Sequence, residues 1–312
     1  MRVLRGPWAS WETQTSPTAV TVGVFDGVHL GHRTLIERLR ATGHVPTILT
    51  FEPHPAEVLA PGTHPRLITT IDERLGLLAG AGVELVGVLN LAEIRHLQAG
   101  EFLGQVLEQR LAMAAMVVGT DFHFGRDRSG DVAFLRRAGD LEGFKVDVVE
   151  LQQTADGAIS SSGIRAMIEM GDMRAATGLL GSRYSLSNVV IHGDGRGREI
   201  GFPTANLEPP GRKVIPGHGV YAAYALLRGE RHQAAVNVGV RPTFGGTELV
   251  VEAHLLDFND DCYDETMTLE FVERLRPELR FEEVSALIKQ MSVDVETVRE
   301  VLESLDPGPR DV

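Results

Sequence analysis

Residues 18–150 alternate between short apolar runs and longer amphipathic stretches. The runs TAVTVGVF, VPTILTF, ELVGVLNL, AAMVVG and FKVDVVEL are short and rich in β-branched residues, so each predicts a strand. HRTLIERLRAT, IDERLGLLAGAG, EFLGQVLEQRLA and DVAFLRRAGDL lie between them with helical spacing. In the first of these, Leu35, Ile36 and Leu39 share one face while Glu37, Arg38 and Arg40 cover the other. Strands alternating with amphipathic helices predict an α/β domain with a parallel sheet and crossover helices. Ligands of such sheets sit beyond the carboxyl ends of the strands. Three glycine- or proline-rich stretches fall at such ends: FDGVHLGH, FEPHPAEVLAPG and GTDFHFGRDRSG.

The pattern changes after IRAMIEMGDMRAATGLLGSR. YSLSNVVIHG, GVYAAYALL, RHQAAVNVGV, ELVVEAHLLDF and MTLEFVERL follow with turns between them, which predicts an antiparallel barrel or sandwich. Helical spacing returns at Phe281, Val284, Leu287, Ile288 and Met291. The expected organisation is therefore a domain over 1–183 and a second over 184–312, with the final DPGPRDV a frayed tail.

The chain has 312 residues, 43% of them hydrophobic, enough for two domains with proper cores. With 30 basic and 43 acidic side chains its net charge is −13, which argues against a broad nucleic-acid-binding surface. Cys262 is the single cysteine, so no intramolecular disulfide or thiolate zinc site is expected. MRVLRGPWASWETQT lacks a signal-peptide core and no apolar run is long enough to span a bilayer; a cytoplasmic location is the expectation.

Candidate chemistry concentrates at two places. In VGVFDGVHLGH, Gly23 and Gly27 allow a ligand close to the backbone around Phe25, and His29 and His32 open the first helix. A helix N-terminus favours phosphate, and the two imidazoles can donate hydrogen bonds to its oxygens. Taken alone, a His-x-x-His is more readily a helix cap beside a surface histidine; its place after the first strand, behind a glycine turn and opening a helix, favours the phosphate reading, and a zinc pair lacks further ligands nearby. The second place is HGDGRGREIGFPTANLEPP, where Gly193, Gly195, Gly197 and Gly201 form a turn able to wrap a polyphosphate. Thr204 and Asn206 are two apart, so an extended strand points both oxygens to one side, and such neutral oxygens suit Mg²⁺. Alternation places Leu249, Val251, Ala253 and Leu255 on one face and Glu252 and His254 on the other. A carboxylate in so apolar a strand can serve as a general base.

The His-x-Gly-His context resembles the nucleotidyltransferases that transfer adenylyl groups, and ISSSGIR (159–165) looks like their second signature. TFEPHPAEVLAP and VVGTDFHFGRDRSGD are similar to segments of prokaryotic FAD synthetase, and GRxxGFPTAN, with Arg198 its arginine, resembles the riboflavin kinase signature. The resemblance runs from about residue 18 to 305 with its motifs in the family's order. It implies a Rossmann-like nucleotidyltransferase domain followed by a riboflavin-kinase-like barrel. By the same resemblance ATP is co-substrate, Mg²⁺ the cofactor, and riboflavin, FMN and FAD are substrates and products. His29, His32, Ser161, Ser162 and Arg165 would hold the triphosphate of the first site, and Phe51, Pro53, Pro55, Phe122 and Phe124 the isoalloxazine ring. Glu252 would take the proton of the ribityl hydroxyl. The chain departs from the family's pattern at Asp264, where a glycine is usual, and at Arg183 and Asn188. Three alternatives stand beside this reading: one live activity only, an adenylyltransferase for another acceptor such as pantetheine phosphate, and a non-catalytic flavin-binding protein.

Overall fold

The computed structural model describes residues 1–150, 153–154, 157–193, 195–208, 211–243 and 246–305; the expected frayed tail lies outside them. The chain divides into two compact units between Ser161 and Ser162.

The first unit opens with β1 (Arg2–Leu4), β2 (Thr18–Val22), α1 (Leu30–Ala41), β3 (Val45–Phe51), α2 (Pro55–Leu59), α3 (Ile71–Gly80) and β4 (Leu85–Leu89). Then come the short α4 (Leu91–Ile94) and α5 (Ala99–Glu101), a π-helical stretch Phe102–Arg110, and β5 (Met113–Gly119). A small ribbon, β6 (His123–Phe124) with β7 (Gly130–Asp131), precedes α6 (Val132–Glu142) and β8 (Lys145–Val149), and a second ribbon joins β9 (Gln153–Thr154) to β10 (Gly157–Ala158). Six strands form one sheet in the order β1-β4-β3-β2-β5-β8, every pairing parallel.

Consecutive side chains on a strand point to opposite faces, which explains why these strands read as continuous apolar runs. Ala19, Ile48, Val86 and Val117 pack on one face with Ile36 and Leu39 of α1 and Leu75 and Leu78 of α3. Their neighbours Val20, Leu49, Leu85 and Met116 pack on the other with Phe102, Val106 and Leu107, and with Leu135 of α6. From β2 the chain moves through β3 to β4 on one side, then returns to β5 and β8 on the other. The reversal lies between β2 and β5. In an open parallel sheet that is where a crevice forms, so the loops after β2 and β5 face the default ligand position. The edge strand β1 was not foreseen; three residues are too few to show a period.

The second unit contains α7 (Ser161–Met170) from its second residue on, α8 (Met173–Leu180), β11 (Ser185–Ile191), α9 (Arg196–Glu199), β12 (Ala205–Leu207), β13 (Gly219–Leu227), β14 (Glu230–Thr243), β15 (Gly246–Leu255), β16 (Thr266–Arg276) and α10 (Val284–Leu305). Six strands close into a barrel in the order β11-β12-β15-β14-β13-β16, with antiparallel pairings. Gly217 N donates to Ile168 O at 3.1 Å and Arg174 pairs with Glu273, so this compact unit includes α7 and α8, which precede residue 183. β13 reads as a continuous apolar run because both its faces are covered except at Leu226. Tyr221 meets Phe271 edge-on, while Ala222 and Tyr224 pack beneath Val298 and Leu302 of α10.

Candidate active sites

Beyond Val22 the chain turns sharply, with Phe25, Gly27 and Val28 at φ of 56°, 81° and 42°. Glycine enters that region freely, but a β-branched residue there is strained and has to be held by its surroundings. Asp26, fully buried, supplies much of that hold. Its carboxylate accepts from Ile68 N at 3.0 Å, from Thr69 N at 2.9 Å and from Thr69 Oγ1 at 2.9 Å. Thr69 Oγ1 in turn accepts from Gly27 N at 3.0 Å, and Ser161 Oγ donates to Asp26 O at 3.0 Å. The Arg74 guanidinium lies 3.9 Å from the Asp26 carboxylate.

The turn delivers the imidazoles. His29 is the N-cap of α1, its Nδ1 accepting from His32 N at 3.4 Å. The two rings stack with centroids 3.6 Å apart and planes 16° from parallel, and the Phe25 ring lies 4.7 Å from His32. A Cβ at Gly31 would stand 3.3 Å from the His29 ring, so the glycine between the histidines leaves room for the stack. Burial pushes the His29 pKa down to about 4 against the pull of Asp26. Burial, with His29 and Arg74 nearby, also pushes His32 well below the ordinary histidine value. Both rings are therefore neutral near pH 7. With Nδ1 of His29 used as an acceptor, its proton sits on Nε2, free to donate to an incoming oxygen. His29 is thus a helix cap, and His32 is packed against it and Phe25 rather than standing at the surface.

The other residues expected at this site divide. Gly23, Phe25, Gly27 and Ser161 gather at the turn. Phe25 is only 1% exposed and lies in the core beneath His32, a supporting position rather than one open to a ligand. A Cβ at Gly23 would stand 3.1 Å from the Phe25 ring. Phe51 ends β3, and the Glu52–Pro53 peptide bond just beyond it is cis. Phe122 is partly buried and stacks on Phe124 at 5.5 Å; Phe124 is itself a core residue, packed against Phe102 and Phe134. Ser162 and Arg165 belong to the second unit, where Arg165 donates to Ser162 Oγ at 3.3 Å.

In the barrel, strand register builds the second site. Asn206 of β12 pairs with Glu252 of β15, Glu252 with Asn237 of β14, Asn237 with Val220 of β13, and Val220 with Arg276 of β16. These five residues form one row across five strands, and all line a cavity of about 390 Å³. Val251, Ala253 and Leu255 are buried on the opposite face of β15, as the alternation predicted. Leu287, Met291 and Val295 of α10 form the facing wall. Arg276 closes the row: Nε and Nη2 donate to the two oxygens of Asp294 at 2.9 and 2.6 Å, clasping the helix to β16.

A second cavity of about 480 Å³ is lined by Arg198, Thr204, Cys262 and Tyr263. Thr204 lines both cavities, and Gly195 and Gly197 border the first. A Cβ at Gly193 would run into the Asn206 amide and one at Gly197 into the Phe202 carbonyl, so those glycines let the turn close over the strand. Gly201, at φ 89°, ends the turn; Asp194 lies outside the described residues. Among the described residues no three His, Cys, Asp or Glu side chains cluster to hold a metal ion. The Thr204 hydroxyl and Asn206 amide are instead hard neutral oxygens beside a carboxylate, a donor set that fits Mg²⁺ arriving on a polyphosphate. Asp264 takes φ 62°, the left-handed conformation expected where the family has glycine.

Comparison with known proteins agrees with this division. The family model for FAD synthetase matches residues 11–163, and that for riboflavin kinase matches 180–302. A bifunctional riboflavin kinase/FMN adenylyltransferase of Pseudomonas fluorescens is 36% identical, covering 89% of this chain and 91% of that protein. The chain belongs to the bifunctional riboflavin kinase/FMN adenylyltransferase family. The Escherichia coli K12 member is 36% identical over 96% of this chain and 97% of its own, and the Bacillus subtilis member 33% over 90% and 91%. A crystal structure described as a macrolide-efflux protein from Streptococcus pneumoniae shares the fold with a TM-score of 0.89 at 30% identity, covering 96% of this chain and 99% of that one. Among the described residues no helix of this family member is long and apolar enough to cross a membrane.

Asp26, Thr69, Arg74, Asn237 and Asp294 were missed as site residues. Asp26 stands inside the quoted glycine turn and could have been suspected as a charge between apolar neighbours. Arg74 in IDERLG reads like any solvent-facing helix residue and carried no signal.

Proposed function

We propose the following assignment of chemistry to the two sites of this flavin-cofactor transferase. The chain phosphorylates riboflavin to FMN with ATP and then adenylylates FMN to FAD, releasing pyrophosphate. In the first reaction riboflavin occupies the cavity under α10 and ATP the neighbouring one, the two meeting at Thr204. Glu252 accepts the proton of the terminal ribityl hydroxyl as its oxygen attacks the γ-phosphorus and ADP departs. Asn206 and Asn237, beside Glu252 in register, orient it. Thr204 and Asn206 would hold Mg²⁺, which supplies charge neutralisation on the phosphates when bound. Arg198 and the turn at Gly193, Gly195 and Gly201 steady the nucleotide.

In the second reaction an FMN phosphate oxygen attacks the α-phosphorus of ATP and the bond to the β-phosphate breaks. His29 and His32 donate hydrogen bonds to the reacting phosphate, whose charge grows in the transition state. Ser161, Ser162 and Arg165 receive the pyrophosphate side. Phe51, Pro53 and Phe122 border the flavin ring. The 1–183 and 184–312 division is kept for catalytic roles, with Arg165 serving adenylyl transfer, and the setting is cytoplasmic.

The observation that carries the assignment is the Asn206–Glu252–Asn237 row beneath α10, a carboxylate set between two amides by strand register at the wall of a cavity of about 390 Å³. The test is incubation of the chain with riboflavin, ATP and Mg²⁺, resolving flavins by chromatography. FMN followed by FAD is expected; FMN alone removes the first-unit assignment, and no conversion removes both.

A further inference from the structure

We infer that Arg74 is a positioning residue for adenylyl transfer: its buried guanidinium ties the end of β3 to the histidine turn, fixing the flavin-side and phosphate-side groups of that site in one register. The inference rests on the adenylyltransferase reading of the first unit.

Arg74 is 1% exposed, the largest side chain so deeply buried among the described residues. One of its nitrogens donates to Thr50 Oγ1 at 3.2 Å and to Phe51 O at 3.3 Å, both at the carboxyl end of β3. Thr50 Oγ1 passes the link on, donating to Val24 O at 2.8 Å at the start of the strained turn. Another nitrogen faces Asp26, whose carboxylate reaches Thr69, and Thr69 holds the amide of Gly27. A single cation thereby touches, directly or through one hydroxyl, both segments that precede the proposed ligand groups. Its own backbone is fixed by the capping box of α3, with Glu73 N donating to Thr70 Oγ1 at 3.2 Å and Thr70 N to Glu73 Oε2 at 2.8 Å.

Packing alone does not explain an arginine here. Desolvating a charge costs several kcal/mol even when it is paired, and an aliphatic side chain of similar volume would fill the space more cheaply. The planar fork, however, spans the distance between a hydroxyl and carbonyl on one side and a carboxylate on the other, whereas an ammonium is a single compact charge. Its charge also bears on His32, whose surroundings are His29, the Phe25 ring and Arg74 itself, while Asp26 bears on His29.

The test uses full-length Arg74→Met, Arg74→Lys, Thr69→Val and Thr69→Ser, with FMN formation by the barrel as internal control. Arg74→Met is expected to lower kcat for FAD formation about 100-fold, with both KM values within about threefold, because misplacement of reacting groups costs rate rather than affinity. Its acid limb in the rate–pH profile should move to higher pH, since the imidazole loses a repelling cation; a merely structural role would leave it in place. Arg74→Lys should lose about tenfold. Should Arg74→Met fail to fold, the threonine pair decides. Thr69→Val is expected to lose about tenfold in kcat and Thr69→Ser to stay within about twofold, and equal rates in the two would overturn the inference. A kcat within twofold of the parent in folded Arg74→Met overturns it as well, leaving the reading of the site intact. A parent chain unable to convert FMN to FAD removes the reading and the inference together.

Discussion

The histidine turn of the first unit is buried and backbone-strained and carries neutral imidazoles over a buried ion pair, whereas the polar row of the barrel lies on paired strands with its carboxylate at the wall of a cavity. Both are read as serving phosphoryl chemistry of ATP, yet they prepare for it differently. In the turn, the positive φ at Val28 and the two desolvated imidazoles stand beside a buried network of Asp26, Thr69 and Arg74 that bonds the turn from within. In the barrel, the ladder itself aligns Asn206, Glu252 and Asn237, and a clasp at Arg276–Asp294 keeps the opposing helix in place. A site on a loop needs a supporting network; a site on a ladder inherits its order from the sheet.

The largest effect should come from removing the reacting groups. His29→Ala with His32→Ala is expected to lower FAD formation by about 1,000-fold while FMN formation is unchanged, measured by chromatography of both flavins. Equal loss of both products would break the comparison. Glu252→Gln should cost about 100-fold or more in FMN formation and leave supplied FMN adenylylated; a normal kinase rate would remove Glu252 as the base. Asp294→Ala, which releases the clasp on α10, is expected to raise the riboflavin KM about tenfold with kcat less affected. An unchanged KM would mean that the helix is held in place by its apolar contacts alone.

Smaller effects separate the sites by pH and by strain. The unfolded chain takes up a proton on His29 near pH 6.5, but the folded chain does so only near 4. The unfolded state therefore binds more protons between those values, and the stability contributed by the neutral ring is complete above pH 6.5 and lost as pH falls through the window. By pH 5 this amounts to about 2 kcal/mol in the first unit, read by urea unfolding at pH 7 and 5. His29→Gln should flatten that dependence, and an unaltered slope would contradict the buried neutral imidazole. In the barrel, Asp264→Gly at φ 62° should gain about 0.5–1 kcal/mol, visible as a raised Tm of the second unit.

Legibility in sequence followed the same contrast. The parallel sheet and the barrel strands announced themselves because period and apolar runs report burial on one face or two, and the alternation of Val251, Ala253 and Leu255 against Glu252 and His254 placed that carboxylate on the cavity face. Thr204 and Asn206 were readable as a pair for the same reason. The extended conformation around Asn206 was likewise expected, whereas β1, only three residues long, was not. Phe25 looked like a ligand contact because it stands in the glycine motif, yet it packs into the core. Asp26 could not be paired with Thr69 or Arg74 from sequence, since those contacts join positions more than forty residues apart and a buried ion pair has no period.

The most direct test of two separately working sites mixes two defective chains. His29→Ala/His32→Ala protein and Glu252→Gln protein, each unable to carry riboflavin through to FAD, are incubated together with riboflavin, ATP and Mg²⁺. The account predicts that the mixture restores FAD, with FMN made by the first protein adenylylated by the second. A mixture that makes no FAD, although each chain retains its single remaining activity when assayed alone, would contradict it.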